Sequence, residues 1–194
     1  MQGEMPLLRH ITLLPIGFDP RATKWPPAMF EHAPLLTSVV LGVSFMVDCM
    51  QLPWGNLTHL EARCFYEYEC TDVLRAATNL VYCKLNVIQN PTSMAAASVP
   101  VHLHLRDFIL CPEDHNNVWQ WGLLDSLTLP ALRTVQIPQR NIPLDSLRAF
   151  LLRSQCTLEE LRITGATSTE AVFREVLPAV GTIVVEPSVT SWPI

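Results

Sequence analysis

Apolar residues return along the chain in triplets of fixed internal spacing: one apolar position, two free positions, a second, one free position and a third. The triplets are Leu8/Ile11/Leu13, Leu36/Val39/Leu41, Leu57/Leu60/Ala62, Leu80/Cys83/Leu85, Leu105/Phe108/Leu110, Leu132/Val135/Ile137, Leu158/Leu161/Ile163 and Val180/Ile183/Val185. First anchors follow one another at 28, 21, 23, 25, 27, 26 and 22 residues. The second and third anchors stand two apart, the alternation of a strand that buries one face. In a chain that is 49% hydrophobic a single triplet is cheap, so a second regularity carries more weight. Two residues before the first anchor stand Pro6, Pro34, Pro130 and Pro178, four of eight, where 16 prolines in 194 residues would place fewer than one. Proline cannot donate to a strand ladder and holds the residue before it extended, which suits a turn leading into a strand.

The stretches between triplets must turn back, and several carry helical spacing. Leu144, Leu147, Phe150 and Leu151 predict a helix behind Pro143. Val172, Phe173, Val176 and Leu177 predict another behind Thr167-x-x-Glu170, which has the form of a capping box. Val73 to Ala77 and Val118 to Leu127 are weaker versions. Strand, return segment and strand at such intervals imply parallel neighbours, since a hairpin cannot join strands of one direction. The intervals lie inside the window of about 20 to 29 residues of leucine-rich repeats. The expected fold is therefore α/β, a short irregular leucine-rich-repeat solenoid with parallel strands on the concave face and short return helices. Residues 1–187 form its eight or so repeats, and 188–194 form a C-terminal tail. The position eight after the first anchor holds Ile16, Ser44, Phe65, Ile88, Glu113, Arg140, Ala166 and Ser188, so no buried ladder of side-chain amides is expected. End units of such arrays normally carry polar caps, and no capping helix precedes Leu8, so self-association through the first repeat is expected.

Composition narrows the function. A net charge of −5, a pI of about 5.6 and only 16% charged residues leave no basic excess for a phosphate backbone, so no nucleic-acid partner is expected. The N-terminal residues lack the basic start of a signal peptide, and the uncharged run from Ala33 to Val47 falls short of the roughly 20 residues that cross a bilayer. An intracellular, cytoplasmic or nuclear protein without a membrane partner is expected. The six cysteines contain no C-x-x-C pair and read as reduced thiols. Asn56-Leu57-Thr58 has the form of a glycosylation acceptor, which an intracellular chain does not use.

With second and third anchors facing the core, the residues between and beside them face the concave side. These are His10, Thr12, Ser38, Val40, His59, Glu61, Tyr82, Lys84, Asp107, Ile109, Thr134, Gln136, Glu160, Arg162 and Thr182. The candidate partner-binding set is His59, Glu61, Arg63, Tyr82, Lys84, Asp107, Gln136 and Arg162, which mixes an aromatic ring with charges of both signs. The plain alternative is a solvated strand face. His102 and His104 alternate in Val101-His-Leu-His-Leu, which puts both imidazoles on one strand face, with Glu113, Asp114 and His115 nearby; nothing in the sequence makes them converge as a metal site requires. Cys70 lacks a positioned base, and Glu67 and Glu69 raise its pKa if close. Trp25, Trp54, Trp119 and Trp121 read as packing residues rather than a stacking platform. No Gly-rich phosphate loop, G-x-S-x-G or H-E-x-x-H occurs. No catalytic residue, cofactor or metal is expected.

Several phrases resemble a known family. They are Met29-Phe30-Glu31-His32-Ala33-Pro34-Leu35-Leu36-Thr37-Ser38-Val39, Leu52-Pro53-Trp54-Gly55-Asn56-Leu57-Thr58-His59-Leu60, Thr78-Asn79-Leu80-Val81-Tyr82-Cys83, Leu127-Thr128-Leu129-Pro130-Ala131-Leu132-Arg133 and Ser154-Gln155-Cys156-Thr157-Leu158-Glu159-Glu160-Leu161. Over roughly residues 5 to 186 the chain is similar to the leucine-rich-repeat portion of F-box-like proteins of mushroom-forming fungi. The resemblance implies a non-enzymatic protein-interaction module whose repeats hold a substrate protein. In that family an F-box docks on the linker subunit of a cullin ubiquitin ligase, and no residue here corresponds to it, so the linker is a partner only if an F-box lies upstream. The alternatives are a truncated repeat fragment without independent activity and a small metal- or Cys/His-dependent enzyme.

Overall fold

A computed structural model describes residues 5–14, 30, 32–42, 51–88, 101–112 and 122–186, apart from the side chains of Cys64, Pro112 and Asn141. Among the described residues its frame is a parallel sheet of eight strands in sequence order. They are β1 (His10–Leu13), β2 (Ser38–Leu41), β3 (His59–Tyr66), β4 (Tyr82–Ile88), β5 (Asp107–Pro112), β6 (Thr134–Pro138), β7 (Glu160–Thr164) and β8 (Thr182–Val185). Four α-helices lie between strands among the described residues: α1 (Glu67–Ala76), α2 (Leu123–Ser126), α3 (Leu144–Ser154) and α4 (Glu170–Val176). The class is α/β with few helices, as the periodicity predicts.

The triplets fall into one register. Ile11, Val39, Leu60, Cys83, Phe108, Val135, Leu161 and Ile183 are successive partners across the whole sheet. All anchors are buried except Leu8, Ile11, Leu13 and Val185, which are half-buried against the same core. A slip of one residue in any strand would turn its anchors to the other face, so burial of these rows fixes the register.

Two backbone motifs repeat with the strands. In six of the eight units the N–H of the first anchor donates to the carbonyl three residues earlier: Leu8 to Met5, Leu36 to Ala33, Leu57 to Trp54, Leu80 to Ala77, Leu132 to Leu129 and Val180 to Leu177. Pro6, Pro34, Pro130 and Pro178 each occupy the second position of such a turn, where a φ near −65° is what the turn requires. That is a more local reason for the prolines than the extended bias of the preceding residue. Immediately afterwards, one carbonyl accepts two amides from the next unit. Thr58 O, for example, takes the N–H groups of Val81 and Tyr82 at 2.8 and 3.0 Å. Arg9, Thr37, Val81, Arg106 and Arg133 do the same, so the starts of β2 to β7 are each tied to the one before, while at β8 the amides of Gly181 and Thr182 go to two carbonyls, Leu158 O and Glu159 O.

The return segments are less regular. α3 begins directly after Pro143 and buries Leu147 and Phe150, and it closes on Gln155 in the left-handed conformation (φ 49°), whose N–H reaches Leu151 O at 3.0 Å. α4 buries Phe173, but the expected capping box does not form: Thr169 is the cap residue, and the Thr167 N–H is held at 2.7 Å by the Gln139 side chain of the preceding unit. Gln139 Oε1 also accepts from Ser168 N and its Nε2 donates to Ser168 Oγ, so one long-range amide does the work assigned to a local pair. α1 starts six residues before the predicted Val73, because Glu69 accepts the Tyr66 N–H at 2.9 Å and starts the helix directly at the end of β3. Of the predicted Val118–Leu127 helix, only Leu123–Ser126 is helical within the described residues. Residues 188–194, the expected tail, lie outside them, as do Ile16, Ser44, Glu113 and Ser188 of the eighth-position series.

Candidate functional site

The side of the sheet opposite the anchors carries two rows set by the same register. The first is His10, Ser38, His59, Tyr82, Asp107, Thr134, Glu160 and Thr182; the second is Thr12, Val40, Glu61, Lys84, Ile109, Gln136, Arg162 and Val184. None of these side chains is buried. Seven of the eight predicted partner-binding residues belong to these rows, and Arg63 lies next to them where β3 changes register between Ala62 and Phe65.

At the centre of the face, the rings of His59 and Tyr82 stack at 6.0 Å between centroids and 23° between planes. Thr58 anchors the imidazole: its hydroxyl donates to Thr37 O at 3.2 Å and lies 2.9 Å from His59 Nδ1. The Tyr82 hydroxyl donates to Glu61 Oε1 at 3.4 Å, and partial burial together with the Glu61 charge pushes the phenol pKa upward, so Tyr82 stays a hydrogen-bond donor. Glu61 and Lys84 are register partners, as are Tyr82 and Asp107.

Towards the C-terminal strands the chemistry changes. Arg162 donates to Glu186 at 2.6 Å and to Glu160 at 2.9 Å, and these two carboxylates raise its pKa. Gln136 Nε2 approaches Cys111 Sγ at 4.0 Å. Burial pushes the Cys111 thiol up to about 11 although Lys84 opposes the shift, so it is no nucleophile near neutral pH. The fold thus brings His59, Glu61, Tyr82, Lys84 and Asp107 together on three neighbouring strands, with Gln136 on the next strand, β6, and Arg162 one strand beyond it.

Beside the start of the strands lies a cavity of about 560 Å³ that the pattern of anchors did not announce. Asn56, Asn79, His104 and Ala131 line it, each the residue just before a first anchor in four consecutive units, together with Thr58, Val81 and Arg106 just after the anchors of three of them. Asn56 Nδ2 donates to Pro34 O at 3.3 Å and Asn79 Nδ2 to Gly55 O at 2.7 Å, so these amides tie unit to unit along its floor. The signal was the polar residue preceding the anchor, visible as Asn56-Leu57 and Asn79-Leu80. A second hollow of about 510 Å³ lies beside α3 and α4, lined mostly by apolar side chains such as Leu151, Leu152 and Val176.

The other constellations resolve differently. His102 and His104 do not share a strand face: β5 begins at Asp107, His102 is buried and His104 is exposed. Neither ring nitrogen of His102 has a hydrogen-bond partner among the described residues. Burial lowers its pKa, and the Leu74 backbone opposes this without reaching hydrogen-bond geometry. Glu113, Asp114, His115, Trp25, Trp119 and Trp121 lie outside the described residues, among which no three His, Cys, Asp or Glu side chains converge as a metal site. Cys70 is buried, and burial first, then the neighbouring Cys83, Glu69 and Glu67, raises its pKa. Trp54 packs half-buried against the core. Among the described residues no helix is long and apolar enough to cross a membrane.

No family model matches the chain, and neither a curated protein nor a solved structure is similar to it.

Proposed function

We propose that the chain is an irregular leucine-rich-repeat solenoid and acts as a non-enzymatic protein-interaction module, with its open strand face as the binding surface. The observation that supports this reading is the pair of unbroken rows on the open face, which present side chains of eight strands side by side with none buried. Interface chemistry is concentrated on β3 to β5, where a tyrosine lies among charges of both signs. The resemblance to the repeats of F-box-like receptors points to a protein substrate as the occupant. The role proposed here is substrate holding alone; recruitment to a cullin ligase would require an F-box.

The test is affinity purification from the native cell extract with the wild-type chain, with Tyr82→Ala and Lys84→Glu, and with Arg148→Glu on the exposed surface of α3. A partner enriched by the wild type and by Arg148→Glu, and lost with both face variants, is the expected result. A partner indifferent to Tyr82 and Lys84 but lost with Arg148→Glu would move binding to the helical side and end this reading.

A further inference from the structure

The stacked rings and the charges around them favour one kind of occupant. Neighbouring strands lie about 4.8 Å apart, and side chains on one face stand side by side across them. His59 on β3 stacks on the Tyr82 ring, 23° from parallel at 6.0 Å between centroids, and Tyr82 stands between the register partners His59 on β3 and Asp107 on β5. The Asp107 carboxylate has no hydrogen bond or ion pair among the described residues.

The distribution of charge adds a direction. The first row carries Asp107 and Glu160 and no lysine or arginine. In the second row Lys84 has the opposite charge of Glu61 as its register partner, and Arg162 is held by Glu160 and Glu186. Arg106, next to Asp107 in sequence, lines the cavity at the strand starts. What remains is an aromatic face beside a carboxylate, half-exposed, on a row with no cation of its own. A planar guanidinium satisfies both at once, stacking on the ring while donating to the carboxylate.

We propose that the open face takes an arginine side chain of the partner polypeptide between Tyr82 and Asp107. This rests on the reading of that face as a protein-binding surface and names what it selects.

The test uses the full chain, isotope-labelled for NMR, and three Gly/Ser nonapeptides that differ only in carrying two arginines, two citrullines or two glutamates. The arginine peptide is expected to shift the Tyr82 and Asp107 resonances and the citrulline twin to shift them far less. Tyr82→Leu and Asp107→Asn should each weaken arginine-peptide binding about 2- to 5-fold, the range of a partly exposed cation–π or ion-pair contact, while Tyr82→Phe retains it. Folding of each variant is checked by its own spectrum. Equal binding of the citrulline twin, or arginine binding indifferent to both variants, would overturn the inference. Binding of the glutamate peptide at the same strands would overturn it too, yet leave the face a protein-binding surface; silence of all three peptides at these residues would overturn it, and the purification experiment would then decide the broader reading alone.

Discussion

Phe108 and Ile109 are neighbours on β5 and live in different environments. Phe108 is fully buried in a row of anchors that runs through every strand, while Ile109 sits half-exposed among Lys84 and Gln136. The same division holds across the sheet: every residue of the middle anchor row beyond Ile11 is buried, and no residue of the two open rows is. Packing constrains the closed side, because any change of volume is felt by close-packed neighbours. Nothing comparable constrains the open side, so residue identity there is free to vary.

The comparison is broken most directly by substituting both neighbours. Phe108→Ala is expected to lower unfolding free energy by about 3–5 kcal/mol, and Ile109→Ala by less than about 1 kcal/mol, as read by urea titration. Similar losses for the two would mean that the faces are not distinct.

A backbone version comes next in size. A Cβ at Gly181 would stand 2.7 Å from the Glu159 carbonyl oxygen, whereas at Gly55 nothing lies within 4 Å. Gly181→Ala should destabilise by about 1–3 kcal/mol, the cost of forcing packed backbone apart, and Gly55→Ala should be close to neutral in thermal unfolding.

The buried His102 sharpens the contrast through pH. Because burial depresses the His102 pKa, the unfolded chain binds a proton more readily than the folded one. Stability from the neutral ring is therefore fully present above the unfolded value of about 6.5 and is lost as pH falls below it, by at most about 1.4 kcal/mol per pH unit for one proton. Denaturant midpoints measured between pH 7.5 and 5 should fall more steeply for the wild type than for His102→Leu. If the two slopes coincide, the buried imidazole is not the group that titrates.

The smallest effect is expected on the open face itself. Arg162, 38% exposed, bridges two carboxylates, and Arg162→Met should cost less than about 1 kcal/mol, the loss shrinking further in 1 M salt. A salt-independent loss of several kcal/mol would place Arg162 in the packed structure rather than on a surface.

How far the sequence could be read follows the same division. The anchors, the parallel order and the register were legible because burial repeats with a period, and the prolines marked the turns. The start of α1 and the cap of α4 were not, since they depend on Glu69 reaching the Tyr66 amide and on Gln139 reaching across a whole unit to the Thr167 amide. His102 and His104 misled because alternation predicts a shared face only inside a strand, and residues 101–106 precede one. Among the candidate residues, their common face was legible from alternation. The stacking of His59 on Tyr82 and the closure of Arg162 by Glu186 are side-chain geometry that no spacing encodes.

The strands keep step while the stretches that join them do not, varying from 21 to 28 residues between first anchors. Among the described residues each strand pairs only with the strands before and after it in sequence, and the starts of β2 to β7 are each tied by a pair of amides to one carbonyl. A gene segment coding one such unit can therefore be duplicated or lost in frame and the seam will close again, strand to strand. Descendants of one ancestral gene should accordingly differ in length by whole units, and the open face should lengthen or shorten by one column of side chains each time.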